Sequence, residues 1–471
     1  MNVSRPPDAP FRTFRDPAGR LEVNGDSVLR HIYPQAAEEA RQLLASAFYS
    51  RCVEKGEVAA SRVVYQPPDQ ATPEGLTLEH PRVFFPSYCW EWVPSQWLAA
   101  GELTLRICEQ AVSAGWILKD ATPLNILFEG SSPILVDVLS PERRNPKSAI
   151  WTVKAQFIRT FLLPLIAHKW LGWPLSTSIA RRDGITPDEL YPALPRTAFL
   201  RPLIFWNVVL PTLIDRRTSV TEQKIEATKA RESDPEIATA LLQRTLRMLG
   251  KQLTQAAGGV NDSQWRHYTD KLAHYPAADQ QEKLRFVQEC LAQCSPATVL
   301  DVGTNTGTYA MLAAKAGARV VAIDTDAASV EMLHGKAAAE KADIQALVVN
   351  LARPTPAAGW ECREQLSFLD RAAGCFQMVF MLAVIHHLLL SEQIPLTHIL
   401  RLCSELTTQW MILEWVPVTD PMFQQLLRGR GDLYGHLSQD ELLKAAAPCF
   451  RVERTLALSN GRVLYLFKKT T

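Results

Sequence analysis

Residues 298–308 read Thr-Val-Leu-Asp-Val-Gly-Thr-Asn-Thr-Gly-Thr, and the run at 318–324, Ala-Arg-Val-Val-Ala-Ile-Asp, ends in an acid. An apolar strand enters a glycine turn, a helix follows, and the next strand delivers a carboxylate. That sequence of events predicts a doubly wound parallel sheet, whose strand ends open on a crevice that suits an adenosine-bearing cofactor. Gly303 and Gly307 let backbone approach a ligand with no Cβ in the way. Asp324 lies roughly 20 residues past the turn, where a carboxylate accepts hydrogen bonds from ribose hydroxyls.

A nicotinamide or flavin enzyme shares this outline. The turn, however, is Gly-x-Asn-x-Gly rather than Gly-x-Gly-x-x-Gly, so its pyrophosphate cradle is incomplete. Asp301 precedes the first glycine and favours a cationic ligand, such as a sulfonium with an amino-acid tail and no phosphates. The segment resembles the first motif of class I S-adenosylmethionine-dependent methyltransferases, (D/E)-x-G-x-G-x-G. Asn305 stands in for the middle glycine, and Asn also tolerates left-handed backbone. The resemblance implies a Rossmann-like sheet with S-adenosylmethionine as cofactor, held by Asp301, Gly303, Asn305, Gly307 and Asp324. It further implies Asn350 on the adenine amino group, Leu351 against the ring, and Leu382 near the methyl-bearing sulfur. Asp326 is either a second pocket acid or a helix N-cap, with the cap favoured.

At 471 residues the length predicts two or three domains. Hydrophobic content of 47% and charged content of 21% are those of a soluble globular chain. A net charge of +1 gives no reason to expect a nucleic-acid partner. The nine cysteines include no Cys-x-x-Cys, which predicts reduced thiols and a cytoplasmic location, and no metal-ligand spacing is visible. The N-terminus has no signal-peptide core. The apolar stretch 157–175 is broken by Arg159, Pro164, His168 and Lys169, so it reads as a buried helix pair rather than a membrane span.

The chain is expected to divide at 1–147, 148–260 and 261–471. The first part reads as short strands around a helix at 36–47, a proline-rich loop at 66–78, a helix at 101–118 and a hairpin within 123–139. The second is mainly helical, and residues 258–262 read as a linker. The third opens with a helix at 280–294. It then alternates strands at 298–302, 319–323, 345–349, 376–382 and 410–414 with helices at 308–316, 327–339, 396–407 and 438–447. Strands at 450–456 and 461–467 follow. Such alternation predicts a parallel sheet between helices, closed in the resembling family by an antiparallel strand.

Methyl transfer is an in-line displacement, so the protein chiefly aligns the nucleophile and, where needed, removes its proton. His386 and His387 follow the fourth strand and are the candidate catalytic residues, with a structural role as the alternative. Trp360, Arg363 and Arg371 lie in a connection of roughly 25 residues, longer than a crossover needs, and are candidates to hold substrate. Glu414, at the end of the fifth strand, is a further substrate candidate, whereas Arg428 and Arg430 read as surface charges.

In the N-terminal half, Asp120, Asn125 and Asp137 follow the pattern Asp, Asn five later, hairpin, Asp. This is similar to the catalytic loop and metal-binding segment of protein-kinase-like folds. His80-Pro81 and residues 88–94 resemble the strand leading to the kinase hinge. Residues 14–22 contain one glycine, Arg30 stands where a lysine is expected, and Asp137 is followed by Val-Leu. A kinase-like α+β scaffold that has lost phosphotransfer is therefore expected, helping to bind substrate or cover the active site. The halves together resemble bacterial multidomain methyltransferases, a likeness that does not fix the acceptor; a small molecule with an O, N or S nucleophile is expected. The alternatives are a bifunctional kinase–methyltransferase modifying a glycan end and a non-catalytic cofactor-binding regulator.

Overall fold

A computed structural model describes residues 16–217 apart from 26 and 66–74, then 234–258, 277–427, 434 and 437–470. Most of the proline-rich loop, residues 259–262 of the expected linker, Arg428 and Arg430 lie outside the described residues. Two compact units divide the chain. One comprises Met1–Phe128, Ser132–Gly259 and Ala358–Glu364, and the other Glu129–Ser131, Val260–Ala357 and Gln365–Thr471.

In the first unit, β1 (Gly19–Asn24), β2 (Ser27–Ile32), β3 (Arg62–Tyr65) and β4 (Leu76–Pro81) form an antiparallel sheet in the order β1-β2-β4-β3. The expected single helix is two, Pro34–Leu44 and Ala47–Glu54, because Ser46 caps the second by accepting from the Tyr49 amide. The helix expected at 101 starts earlier, spanning Pro94–Ser113, with Pro94 at its first position and the Gln96 side chain accepting from the Val93 amide. It is followed by β5 (Trp116–Leu118), the hairpin β6 (Ile126–Glu129) and β7 (Ser132–Leu135), and β8 (Pro141–Arg143). The stretch 88–94 is not a strand. A 3-10 turn occupies Cys89–Glu91, held by Glu91 accepting from the Tyr88 amide.

The stretch 157–175 is not a helix pair either. Lys154–Leu171 is one helical run with a π turn at Ile158–Leu162, ended by Gly172 in left-handed backbone. Pro164 has no amide proton to donate, and the widened turn just before it accommodates the proline without a break. The buried face includes Phe157, Phe161, Leu162, Leu163 and Ile166. Each such side chain contributes about 1.5–3 kcal/mol relative to exposure.

The second unit is built on a seven-stranded sheet: β9 (Thr298–Val302), β10 (Arg319–Asp324), β11 (Ile344–Val348), β12 (Phe376–Met381), β13 (Thr407–Trp415), β14 (Phe450–Ala457) and β15 (Val463–Lys469). The order is β11-β10-β9-β12-β13-β15-β14. The first five strands run parallel, and β15 pairs antiparallel with both β13 and β14. Apolar runs such as Val299-Leu300 and Val379-Phe380-Met381 are fully buried, as strands covered on both faces require. The strands and helices agree with the spacing in the sequence to within a few residues at each end. In register, Asp301 lies beside Ala322 on one side and Phe380 on the other. The carboxyl ends of β9, β10 and β12 are therefore level, and the turns that leave them share one edge.

Candidate active site at the carboxyl edge of the sheet

The glycine turn is pinned to its neighbour strand: the Gly303 and Thr304 amides both donate to the Ile323 carbonyl, at 2.9 and 3.0 Å. Gly303, Asn305 and Gly307 all have positive φ, at 68°, 49° and 81°. A Cβ on Gly303 would come within 2.3 Å of Val384 Cγ2, and one on Gly307 within 2.1 Å of Leu333 Cδ1. Both glycines are thus demanded by backbone conformation and by their own packing. Asn305 holds the left-handed position that the resembling motif gives to glycine.

Asp324 at the end of β10 closes the turn from the other side. Its Oδ2 accepts from the Asn305 amide at 2.8 Å and its Oδ1 from the Asp326 amide at 3.0 Å. The carboxylate is half-buried, and each oxygen retains a second lone pair. Asp326 is the N-cap of helix Ala327–Glu340, accepting from the Ala328 amide and from Ser329 Oγ. Asp301 sits beneath the turn, buried, with Thr304 Oγ1 donating to it at 2.7 Å. Burial pushes its carboxyl up to about 7. Thr304 opposes the rise, Asp324 adds to it and Lys283 opposes it.

The other strand ends complete the edge. Asn350 and Leu351 follow β11; Asn350 Oδ1 accepts from the Ala352 amide at 2.8 Å, and Leu351 is buried. Leu382, also buried, follows β12 and precedes Ala383, which is left-handed at φ 56°. His386 and His387 open helix Ile385–Leu390, with ring centroids 4.3 Å apart. Burial drives His386 down to about 3, helped by His387 and Arg462, and its buried Nδ1 has no hydrogen-bond partner among the described residues. So weak a base stays neutral at physiological pH. His387 is exposed; the packing around its ring still lowers its pKa, and Asp324 opposes that shift.

Glu414 does not stand open at the end of β13. It is fully buried, bridged by Lys283 and, at 3.2 Å, by Arg462 Nη1, whose Nε reaches Asp420 at 2.8 Å. Burial alone would raise Asp420, but the Arg462 hydrogen bond and charge outweigh it and lower its pKa. Lys283 Nζ lies 4.9 Å from the Tyr309 ring centroid. Burial, Glu414 and Asp301 together raise the Tyr309 hydroxyl. Lys283, Arg462 and Tyr309 were not among the residues picked out by sequence. The available signal was weak: Asp279 and Lys283 are four apart on helix Ala277–Cys294, and both turn to the sheet. Asp279 accepts from the Ser459 and Asn460 amides while Lys283 meets Glu414.

Of the three substrate candidates in the long connection, Arg371 belongs to the sheet-bearing unit. It is buried on helix Phe368–Ala372, with Nε donating to the Ser367 carbonyl at 3.2 Å. Trp360 and Arg363 group with the first unit, where Trp360 is exposed and Arg363 pairs with Glu361 at 3.4 Å. Trp360 and Arg363 thus belong to one unit, and Arg371 and Glu414 to the other.

In the first unit, Asn125 Nδ2 donates to Asp120 at 3.1 Å, and Asp120 also accepts from Gln156. Arg30 is buried and bonds Asp137 at 3.1 Å, with Asp16 at 3.6 Å. Among the described residues there is no group of three or more His, Cys, Asp or Glu placed to hold a metal ion. No described helix is long and apolar enough to cross a membrane.

No protein-family model matches the chain. It is 25% identical over 473 residues to nodulation protein NoeA of Rhizobium meliloti (strain 1021), covering 97% of this chain and 95% of that one. Among solved structures, N-methyltransferase NodS from Bradyrhizobium japonicum WM9 in complex with S-adenosyl-L-homocysteine overlaps 45% of this chain and 94% of its own. Its TM-score is 0.32 and its identity 12%. The bifunctional kinase-methyltransferase WbdD overlaps 41% of this chain and 40% of its own, with a TM-score of 0.29 and 20% identity. Likenesses of that strength do not decide what this chain binds; the residues at the carboxyl edge carry that question.

Proposed function

We propose that the second unit is an S-adenosylmethionine-dependent methyltransferase acting on a small-molecule nucleophile. The observation that carries this reading is the Asp324–Asn305 hydrogen bond, which joins the acid of β10 to the glycine turn of β9 with Asp301 directly beneath. Two carboxylates at one turn with no third glycine are a poor cradle for pyrophosphate. They suit ribose hydroxyls at Asp324 and an ammonium group at Asp301.

In this reading the remaining lone pairs of Asp324 hold the ribose and Asn350 and Leu351 bound the adenine. Leu382 and Ala383 wall the reacting centre and exclude water. The bound cofactor supplies an electrophilic methyl group on a good leaving sulfur. His386, neutral and buried, shapes that wall rather than taking a proton. Among the pair, His387 is the exposed ring beside Asp324 and the one able to meet a substrate proton. The first unit is read as a kinase-like scaffold without phosphotransfer, because Arg30 already occupies Asp137.

Calorimetric titration with S-adenosylmethionine, S-adenosylhomocysteine, NAD and ATP–magnesium tests both parts. Binding of the first two alone is expected. A preference for NAD would overturn the cofactor assignment, and ATP–magnesium binding would favour the bifunctional reading.

A further inference from the structure

In the first unit, residues 202–217 form one helical run, in which Pro202–Ile204 and Leu210–Arg217 are joined by a π turn at Phe205–Val209. Between Pro202 and Ile214 its only hydrogen-bonding side chains besides the Trp206 indole are Asn207 and Thr212, and both are buried. Asn207 Nδ2 donates to the Leu203 carbonyl at 2.9 Å and Thr212 Oγ1 to the Val208 carbonyl at 2.7 Å, so each is satisfied within the helix. The side chains left to solvent are Phe205, Trp206, Leu213 and Ile214. Eight residues of regular helix overshoot two turns by about 80°. The π turn takes up roughly one residue, which returns Leu213 and Ile214 to the face of Phe205 and Trp206. A surface helix ordinarily turns its polar side chains outward; here both lie inward and the outer face is apolar.

Leu200, in the 3-10 turn Arg196–Leu200 that leads into the helix, is 87% exposed, and Trp206 is 59% exposed. An apolar face of this kind calls for a partner. Arg196 and Arg201 stand at either end of that turn; both are exposed, and neither has an ion-pair partner among the described residues. No acid occurs between Glu189 and Asp215, and Glu189 is engaged by Arg181 at 2.9 Å. A second copy of the chain meeting this face with its own would set arginine against arginine with no acid to offset them. A surface that is anionic outside and apolar within satisfies both features. Trp, Phe and Leu on one side of a helix, with arginines at its border, is the composition of helices that lie in the plane of a bilayer interface.

We propose that the face formed by Leu200, Phe205, Trp206, Leu213 and Ile214 docks on a bilayer bearing anionic headgroups, with Arg196 and Arg201 meeting the lipid phosphates. Leu203, Ile204 and Val208 stay packed against the protein, and no described helix is long and apolar enough to cross a membrane, so the contact is peripheral. The proposal does not depend on the cofactor reading.

The test is flotation of the full chain with two kinds of vesicle, phosphatidylcholine alone and phosphatidylcholine mixed with phosphatidylglycerol. At low salt the protein should bind the anionic vesicles and bind the neutral ones several-fold less. Trp206→Ser combined with Ile214→Ser should weaken anionic binding at least about tenfold, the loss of two apolar side chains from the lipid. Arg196→Gln combined with Arg201→Gln should weaken it about fivefold for each arginine at low salt, and less at high salt, where the charges are screened. All four side chains are exposed, so thermal unfolding of both variants should match that of the unaltered protein, which separates loss of docking from loss of fold. Failure of the unaltered protein to float with the anionic vesicles overturns the proposal, as does flotation that both variants leave unchanged. Equal binding to neutral and anionic vesicles overturns the assignment of an anionic surface. A dimer in sedimentation velocity that Trp206→Ser with Ile214→Ser abolishes would give the face to a second copy and overturn the proposal.

Discussion

Arg30 of β2 donates to Asp137 across 3.1 Å, tying the sheet of β1–β4 to the segment that follows the hairpin of β6 and β7. The guanidinium is buried, and its Nη2 also reaches the Val136 carbonyl at 3.3 Å. Removing the carboxylate takes from a buried cation the nearer of its two acidic partners. Asp137→Ala should destabilise the first unit by ~3 kcal/mol, measured by urea unfolding, whereas Arg30→Met with Asp137→Leu should recover much of that loss.

Asp324 serves the turn as well as the ligand, since its Oδ2 holds the Asn305 amide. Asp324→Ala should weaken S-adenosylhomocysteine at least about tenfold, the loss of one or more charge-assisted hydrogen bonds. Asp324→Asn should keep the turn, through its carbonyl oxygen, and lose less. Equal affinities for the two variants would show that the charge, not the turn, governs binding.

Gly307 meets Leu333 so closely that a methyl group has nowhere to go, and its backbone is left-handed. Gly307→Ala should lower stability by ~2–4 kcal/mol. Adding Leu333→Ala should relieve the clash but not the backbone strain, so partial recovery in thermal unfolding is the expected result.

Acid should weaken the second unit in a defined window. His386 and His334 are held near 3 and 4 by burial, so between about pH 6.5 and 4 the unfolded chain binds two protons that the folded one refuses. Asp301 acts in the opposite sense. Its folded value near 7 exceeds the unfolded one, so its contribution grows as pH falls over the same interval. His387, also lowered, adds to the losses, so the losses outweigh the gain and stability should fall as the pH falls through this window. Urea midpoints at pH 6.5, 5.5 and 4.5 measure it. His334→Gln should flatten the slope.

The sheet and its turn were legible in sequence because their signals are local. Buried strands are continuous apolar runs, and Gly303, Asn305 and Gly307 sit within five residues of one another. Asp326 could be read as a cap for the same reason. Glu414 was found by its place at a strand end, but its closed environment was not, because its partners are 131 and 48 residues away in the chain. No periodicity reports such pairings. Trp360 and Arg363 were grouped with Arg371 on proximity in sequence, which does not report that the connection passes from one compact unit to the other. The helical run through Pro164 was misread because a π turn has no compositional mark.

β15 lies between β13 and β14, although it follows both in the chain. The edge of β13 therefore has no partner until residues 463–469 have left the ribosome. Arg462, which completes the charge chain at Glu414, arrives in the same few residues. Until then the nascent unit carries an open strand edge beside an acid still missing one of its two cations, and a chaperone has most to protect in that interval.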